Sequence, residues 1–153
     1  LYISYGNLGA SANYTEVDQA NGNAAQQQKN HGGGYSFTYD IGNFGIGYGK
    51  TYQNPAIASA PGSTATAEYY ETTMVSVGAK VNDEFSVSYT TEKSEQNNAT
   101  AGATLYDVEA RTVQAAYNMG GLTIGLSQAT FENAGYADVD DVNEFILSLS
   151  AAF

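Results

Sequence analysis

The chain has 153 residues, with 16 Asp and Glu against 5 Lys and Arg and a net charge of −11. This balance argues against nucleic acid as a partner, because phosphate binding needs clustered Lys and Arg. The 13 Tyr and 6 Phe argue against a solvated disordered coil, and the absence of Cys excludes disulfides and thiolate chemistry.

Apolar and polar residues alternate with period two in segments of roughly ten residues, which predicts β-strands. No apolar stripe at helical spacing has a useful length, and no apolar run is long enough for a transmembrane helix. Nine strands are predicted: residues 1–5, 8–17, 34–40, 44–52, 68–81, 84–93, 105–118, 122–132 and 142–153.

The connections between these strands alternate between short and long. The short ones are residues 6–7, 41–43, 82–83 and 119–121, and each carries Gly, Asn or Asp, which suit tight hairpins. The long ones are residues 18–33, 53–67, 94–104 and 133–141. This rule is typical of outer-membrane barrels, whose periplasmic turns are short and whose outer loops are long.

The last strand illustrates the two faces of the predicted sheet. Phe145, Leu147 and Leu149 share one face, and Glu144 and Ser148 lie on the other. The polar face is small and hydroxylated in most strands, whereas a soluble sheet normally carries Lys and Glu on its wet face. The pattern therefore predicts an all-β, antiparallel up-and-down transmembrane β-barrel, with the whole chain in one barrel domain.

Two local patterns carry separate predictions. In the strand 105–118 the apolar parity changes between Ala110 and Val113, which predicts a bulge or a strand that extends above the membrane. The glycines of GNFGIGYG, residues 42–49, open no helix. They are predicted to be strand glycines at which the neighbouring wall or the barrel interior crowds the backbone.

The C-terminal sequence VNEFILSLSAAF carries a family resemblance. Together with FGIGYGKTY, FSVSYTTEK and LTIGLSQATF, it resembles the C-terminal half of bacterial trimeric porins, especially those of alphaproteobacteria. The resemblance implies the second half of a sixteen-stranded barrel in the outer membrane, a homotrimer, and contact with lipid and lipopolysaccharide. It also implies a C-terminal membrane-insertion signal, formed by Phe145, Leu147, Leu149 and Phe153.

The strand count fits a fragment, because a complete barrel with both ends in the periplasm needs an even number of strands. If Phe153 ends at the periplasmic rim, every long connection falls outside and every short one inside. Two alternatives stay open. Residues 8–153 could form a complete eight-stranded barrel with a structural or partner-binding role, or the chain could be a soluble β-rich surface or adhesin domain.

The charged residues of the predicted strands supply candidates for a channel lining. A charge that faces lipid at the bilayer midplane costs a few kcal/mol, so these side chains are predicted to line the lumen. The candidates are Lys80, Asp107, Glu109, Arg111 and Glu144. The predicted function is passive diffusion of small hydrophilic solutes and ions, with a cation preference that follows from the net acidity.

The sequence contains no catalytic constellation, and we predict that the chain is not an enzyme. The single histidine, His31, lies in the predicted loop segment KNHGGG without an obvious partner. The acidic run that contains Asp138, Asp140 and Asp141 is a candidate for Ca²⁺ binding through oxygen ligands, and the alternative is a solvated acidic loop. No other cofactor is predicted.

Overall fold

The structure is a computed structural model that describes residues 1–17, 30–55, 67–98 and 105–151. These residues form nine strands, which confirms the predicted number. They are β1 Tyr2–Tyr5, β2 Leu8–Val17, β3 Asn30–Ile41, β4 Phe44–Asn54, β5 Ala67–Lys80, β6 Phe85–Asn98, β7 Val108–Met119, β8 Leu122–Glu132 and β9 Val142–Ala151.

All nine strands belong to one antiparallel sheet in the order of the chain, so the predicted all-β, up-and-down topology is confirmed. β1 and β9 are the two edges, and the residues described for these strands do not pair with each other. No helix with the length and hydropathy needed to cross a bilayer occurs in the described part of the chain.

Tight hairpins join alternate pairs of strands, as predicted. Gly6, Gly42 and Gly120 have φ of 57°, 60° and 56°, values that residues other than Gly rarely adopt. The β5–β6 turn uses a different device. The Oδ1 atom of Asn82 accepts hydrogen bonds from the backbone N–H groups of Glu84 and Phe85, at 3.0 and 2.7 Å, and so replaces a backbone turn.

β3 and β6 extend further toward the long connections than the hydrophobic alternation indicates. β3 begins at Asn30, and β6 continues to Asn98. The glycines at the start of β3 fit this extension, because a Cβ on Gly33 would lie only 2.6 Å from the carbonyl oxygen of Asn13 on β2. The backbone ladder therefore continues where the apolar pattern has stopped.

The parity change predicted in β7 does not come from a bulge. β7 pairs without a register shift with β6 and with β8, including the segment between Ala110 and Val113. The one register shift between described strands lies in β5, between Ala67 and Tyr69. The predicted bulge is therefore wrong. The apolar parity changes because β7 carries apolar residues on both faces of the sheet.

The register assigns every strand residue to one of two faces, because directly paired residues point to the same side. We call them the apolar face and the polar face. Along its half nearest the tight turns, the apolar face presents Tyr5, Leu8, Tyr39, Phe44, Ile46, Val77, Phe85, Val87, Tyr89, Val113, Tyr117, Ile124, Leu126, Phe145, Leu147 and Leu149. At the same level, the polar face presents Gly9, Thr38, Asp40, Gly45, Gly47, Ser76, Gly78, Ser86, Ser88, Thr90, Thr112, Gln114, Gly125, Ser127 and Ser148, with Ile146 as an apolar exception.

The sheet is curved, with the polar face on the concave side. A cavity of about 650 Å³ is lined by polar-face residues of every strand from β3 to β9. Side chains converge on a concave surface, which explains the small residues there. A Cβ on Gly47 would overlap the hydroxyl of its cross-strand partner Ser76, and Gly125 stands in the same relation to Ser148. The crowding predicted for the strand glycines is thus confirmed at Gly47.

The large apolar side chains are not packed into a dry core. Ala67 and Ala129 are the only buried hydrophobic residues among those that the structure describes. On β9, Phe145, Leu147 and Leu149 are 69%, 66% and 71% exposed. On the half nearest the tight turns, the convex side of the sheet is therefore an exposed apolar surface.

Candidate functional site

The concave polar face is the candidate functional site, and hydroxyl groups cover much of it. The Ser11 and Ser36 hydroxyls share a hydrogen bond of 2.8 Å between β2 and β3. Thr72 and Ser94 make a similar bond of 2.8 Å between β5 and β6. Such a surface can exchange hydrogen bonds with water at little cost, because each hydroxyl both donates and accepts.

Among the described strand residues whose pairing assigns a face, four charged side chains lie on the polar face, namely Asp40, Lys80, Glu92 and Glu144. Lys80 and Glu144 therefore lie on the face that the sequence predicted for them. Lys80 is 3.9 Å from the exposed carboxylate of Asp83. Among the described residues, Asp40, Glu92 and Glu144 form no ion pair. These four side chains comprise three carboxylates and one ammonium group.

Glu109 and Arg111 lie on the other face. Arg111 pairs with Thr91 and Thr130, and its parity along β7 is that of Val113 on the apolar face. The predicted face is therefore wrong for these two residues. Val108 is apolar and two residues before Ala110, so its side chain alone would indicate the apolar face, but the register places Val108 on the polar face. Asp107 precedes β7 and is not part of a strand.

These residues belong to a group of ion pairs that we call the charged belt. It lies on the apolar-face side of β4 to β8, toward the long connections, and beyond the apolar residues. Its members are Lys50, Glu71, Lys93, Glu95, Asp107, Glu109, Arg111 and Glu132. Lys93 lies 2.9 Å from Glu95 and 2.8 Å from Asp107. Arg111 bridges Glu109 at 3.2 Å and Glu132 at 2.9 Å.

The connection between β8 and β9 turns over the polar face, at the end of the sheet that carries the long connections. The hydroxyls of Tyr136 in this connection and Ser94 on β6 are 2.8 Å apart, and the Tyr136 ring lies 5.3 Å from that of Tyr70 on β5. Asn133 donates its Nδ2 proton to the carbonyl of Asp107 at 3.1 Å. No pattern in the sequence predicted this arrangement. Asn133 and Gly135 have left-handed backbone conformations. Asn and Gly at these positions indicate a turn, but they do not indicate the direction in which the loop folds.

The candidate calcium ligands lie further along the same loop. Asp138, Asp140 and Asp141 are exposed. No group of three His, Cys, Asp or Glu residues that could hold a metal ion occurs within the described ranges. The three carboxylates therefore do not converge on one point, and they leave an acidic loop surface.

Two further predictions concern the C-terminal strand and His31. Phe145, Leu147 and Leu149 of the proposed insertion signal lie on the apolar face, and Phe153 lies outside the described residues. His31 is not in a loop, because it pairs with Glu16 and Asn54 within the sheet. Its ring lies 6.4 Å from that of Tyr14 and 5.8 Å from that of Tyr52.

Comparison with known proteins gives no assignment. No protein-family model matches the chain. No curated protein matches it either. Function is therefore inferred from the two faces of the sheet, the charged belt and the β8–β9 loop.

Proposed function

We propose that this sheet is part of the wall of an outer-membrane β-barrel, a porin through which small hydrophilic solutes and ions diffuse passively. The observation that carries the proposal is the match between curvature and polarity. The concave face is polar and lined by Gly, Ser and Thr, and the convex face is apolar and exposed. A water-soluble barrel or sandwich has the opposite arrangement, because its enclosed face forms the dry core.

Strand length supports the same proposal. β2 to β9 contain between 10 and 14 residues each. A tilted strand needs about 9–11 residues to cross a bilayer. The longer strands, β5 and β6, would then continue beyond the lipid on the side of the long connections.

The two sheet edges require closure in this proposal. An unpaired N–H or C=O group in the hydrocarbon region costs several kcal/mol, so open edges do not occur there. The free edges of β1 and β9 would therefore be paired with further strands. The resemblance of the C-terminal region to trimeric porins suggests sixteen strands in all.

The eight-stranded alternative fits these features less well. Closure of residues 8–153 would need β9 to pair with β2, but β1 occupies that edge of β2, with Tyr2 opposite Ser11 and Tyr5 opposite Leu8. An eight-stranded barrel is also filled by its own side chains. The Gly and Ser residues of the polar face are too small to fill one, and they favour a wider, wet interior.

The charges suggest which ions the channel favours. Asp40, Glu92 and Glu144 would face the water-filled interior, and Lys80 is the one opposing cation among the paired strand residues that the structure describes. The carboxylates of the charged belt, by contrast, lie outside the wall and are paired with Lys or Arg. The interior would therefore attract cations, because lumen charges set the selectivity of wide pores.

The outer surface suggests the partners. The apolar face would contact lipid chains, and the charged belt would lie at the level of the headgroups, including those of lipopolysaccharide, where charged side chains remain hydrated. Assembly as a homotrimer is proposed from the resemblance to trimeric porins alone.

Single-channel recording of the full-length protein in a planar lipid bilayer tests the proposal. We expect discrete current steps that are proportional to voltage. A protein that inserts into the bilayer and yet gives no such steps would contradict a porin function.

A further inference from the structure

We infer that the β8–β9 loop, residues 133–141, folds into the channel mouth and limits the size of the solutes that pass, with Tyr136 as its anchor. The inference rests on the proposed function, because a mouth exists only if the sheet encloses a channel. It assigns a role in solute selection to loop residues that are not part of the proposed channel lining.

The path of the loop carries the inference. A loop that merely joins β8 to β9 would stand above these two neighbouring strands. Instead, the Tyr136 side chain reaches Ser94 on β6 and Tyr70 on β5, which are two and three strands away from β8. Both partners lie on the polar face. The loop therefore crosses the concave side of the sheet near its outer end.

The anchor consists of several contacts that support one another. Ser94 bonds to Tyr136 and to Thr72, each at 2.8 Å, so the tyrosine hydroxyl joins a hydrogen-bonded chain that is fixed to two strands. Asn133 ties the start of the loop to the Asp107 carbonyl at 3.1 Å. The contacts at Tyr136 and at Asn133 together hold the loop against the wall.

The backbone of the loop also indicates a defined conformation. Asn133, Gly135 and Tyr136 have φ of 54°, 76° and 61°. A tyrosine seldom adopts a left-handed backbone conformation. Such a conformation persists only where the surrounding contacts stabilise it. The backbone N–H of Tyr136 also donates to the carbonyl of Asn133 at 3.0 Å, which closes the turn.

The position of the loop has two consequences for transport. It occupies part of the cross-section that the wall would otherwise leave open, and it brings the exposed carboxylates of Asp138, Asp140 and Asp141 to the same end of the channel. The loop therefore limits the size of the solutes that pass, and it adds negative charge at the channel mouth.

Two substitutions of Tyr136 separate the effect of its hydrogen bond from the effect of its ring contact. Tyr136→Phe removes only the hydroxyl, and Tyr136→Ala also removes the packing on Tyr70. In planar bilayers with the full-length protein, we expect single-channel conductance to rise from wild type to Tyr136→Phe and again to Tyr136→Ala. The largest polyethylene glycol that enters the channel, measured by its effect on conductance, should increase in the same order.

Two further variants serve as checks. Ser94→Ala removes the same hydrogen bond from the wall side and should reproduce Tyr136→Phe even if substitutions in the loop fold poorly. Tyr89→Phe makes the same chemical change on the apolar face and should leave conductance and size limit unchanged. Channels whose conductance and size limit are unaltered in Tyr136→Ala and Ser94→Ala would overturn the inference alone. A wild type that forms no channel would overturn the proposed function and this inference with it.

Discussion

Leu126 on β8 and Leu147 on β9 are direct cross-strand partners on the apolar face, yet they are 42% and 66% exposed. One residue further along β9, Ser148 pairs with Gly125 on the polar face. A single step along the chain thus passes from one face of the sheet to the other. This arrangement allows opposite environments to be tested with adjacent substitutions.

Leu147→Arg and Ser148→Arg form such a pair. If the apolar face contacts lipid, Leu147→Arg should destabilise the folded protein in lipid vesicles by about 2–4 kcal/mol, the cost of an arginine at the bilayer midplane. Ser148→Arg should cost much less, because the side chain extends into water. Urea-induced unfolding in vesicles measures both, and equal losses for the two variants would contradict the assignment of faces.

Neutralisation of the polar-face carboxylates should weaken cation selectivity. Glu144→Gln combined with Asp40→Asn leaves Glu92 as the remaining carboxylate on the polar face of the strands, so the reversal potential in a KCl gradient should shift toward zero. Glu71→Gln changes a carboxylate of the charged belt, on the opposite face of the sheet, and should leave the reversal potential unchanged. A shift produced by Glu71→Gln and not by the double variant would reverse the assignment.

The charged belt should contribute modestly to stability. Arg111→Met leaves Glu109 and Glu132 without their shared cation, and these side chains are 42% and 32% exposed, so the loss should be about 1 kcal/mol or less. The difference from wild type should shrink at high salt, because salt screens exposed charges. Unfolding in detergent at low and high ionic strength checks this, and a salt-independent loss would argue for packing instead.

The glycines of β3 should tolerate substitution less well than a glycine with room beside it. Gly33→Ala places a Cβ 2.6 Å from the Asn13 carbonyl, and this oxygen cannot move without disturbing the β2–β3 ladder. We expect a loss of about 1–3 kcal/mol, as for other overpacked sites. Gly78→Ala meets its nearest atom at 3.6 Å and is the matched control. Thermal unfolding in detergent compares the two, and equal stabilities would show that β2 and β3 can separate locally.

The sequence predicted the strands and tight turns well, because period-two alternation and turn residues are local signals. It failed in β7, where Val108 and Ala110 are apolar but lie on the polar face. The polar face accommodates small apolar side chains, so parity counted from them alone is unreliable. The same limit applied at the ends of β3 and β6, where pairing continues through polar residues.

The β8–β9 loop could not be predicted for a different reason. The bond between Ser94 and Tyr136 joins residues 42 positions apart, and no local pattern in either segment indicates the other. Its position depends on the curvature of the sheet, which brings β5, β6 and the loop together. Such a contact becomes visible only once the register of several strands is known.

Cysteine substitution along β9 tests most directly whether this sheet is a membrane wall with a wet concave side. The chain has no native cysteine, so each labelled site is unique among its 153 residues. In vesicles, we expect fluorophores at positions 145, 147 and 149 to be quenched by brominated lipid, and cysteines at 144 and 148 to react with a water-soluble thiol reagent. Uniform reaction at all five positions, without lipid quenching, would contradict the account.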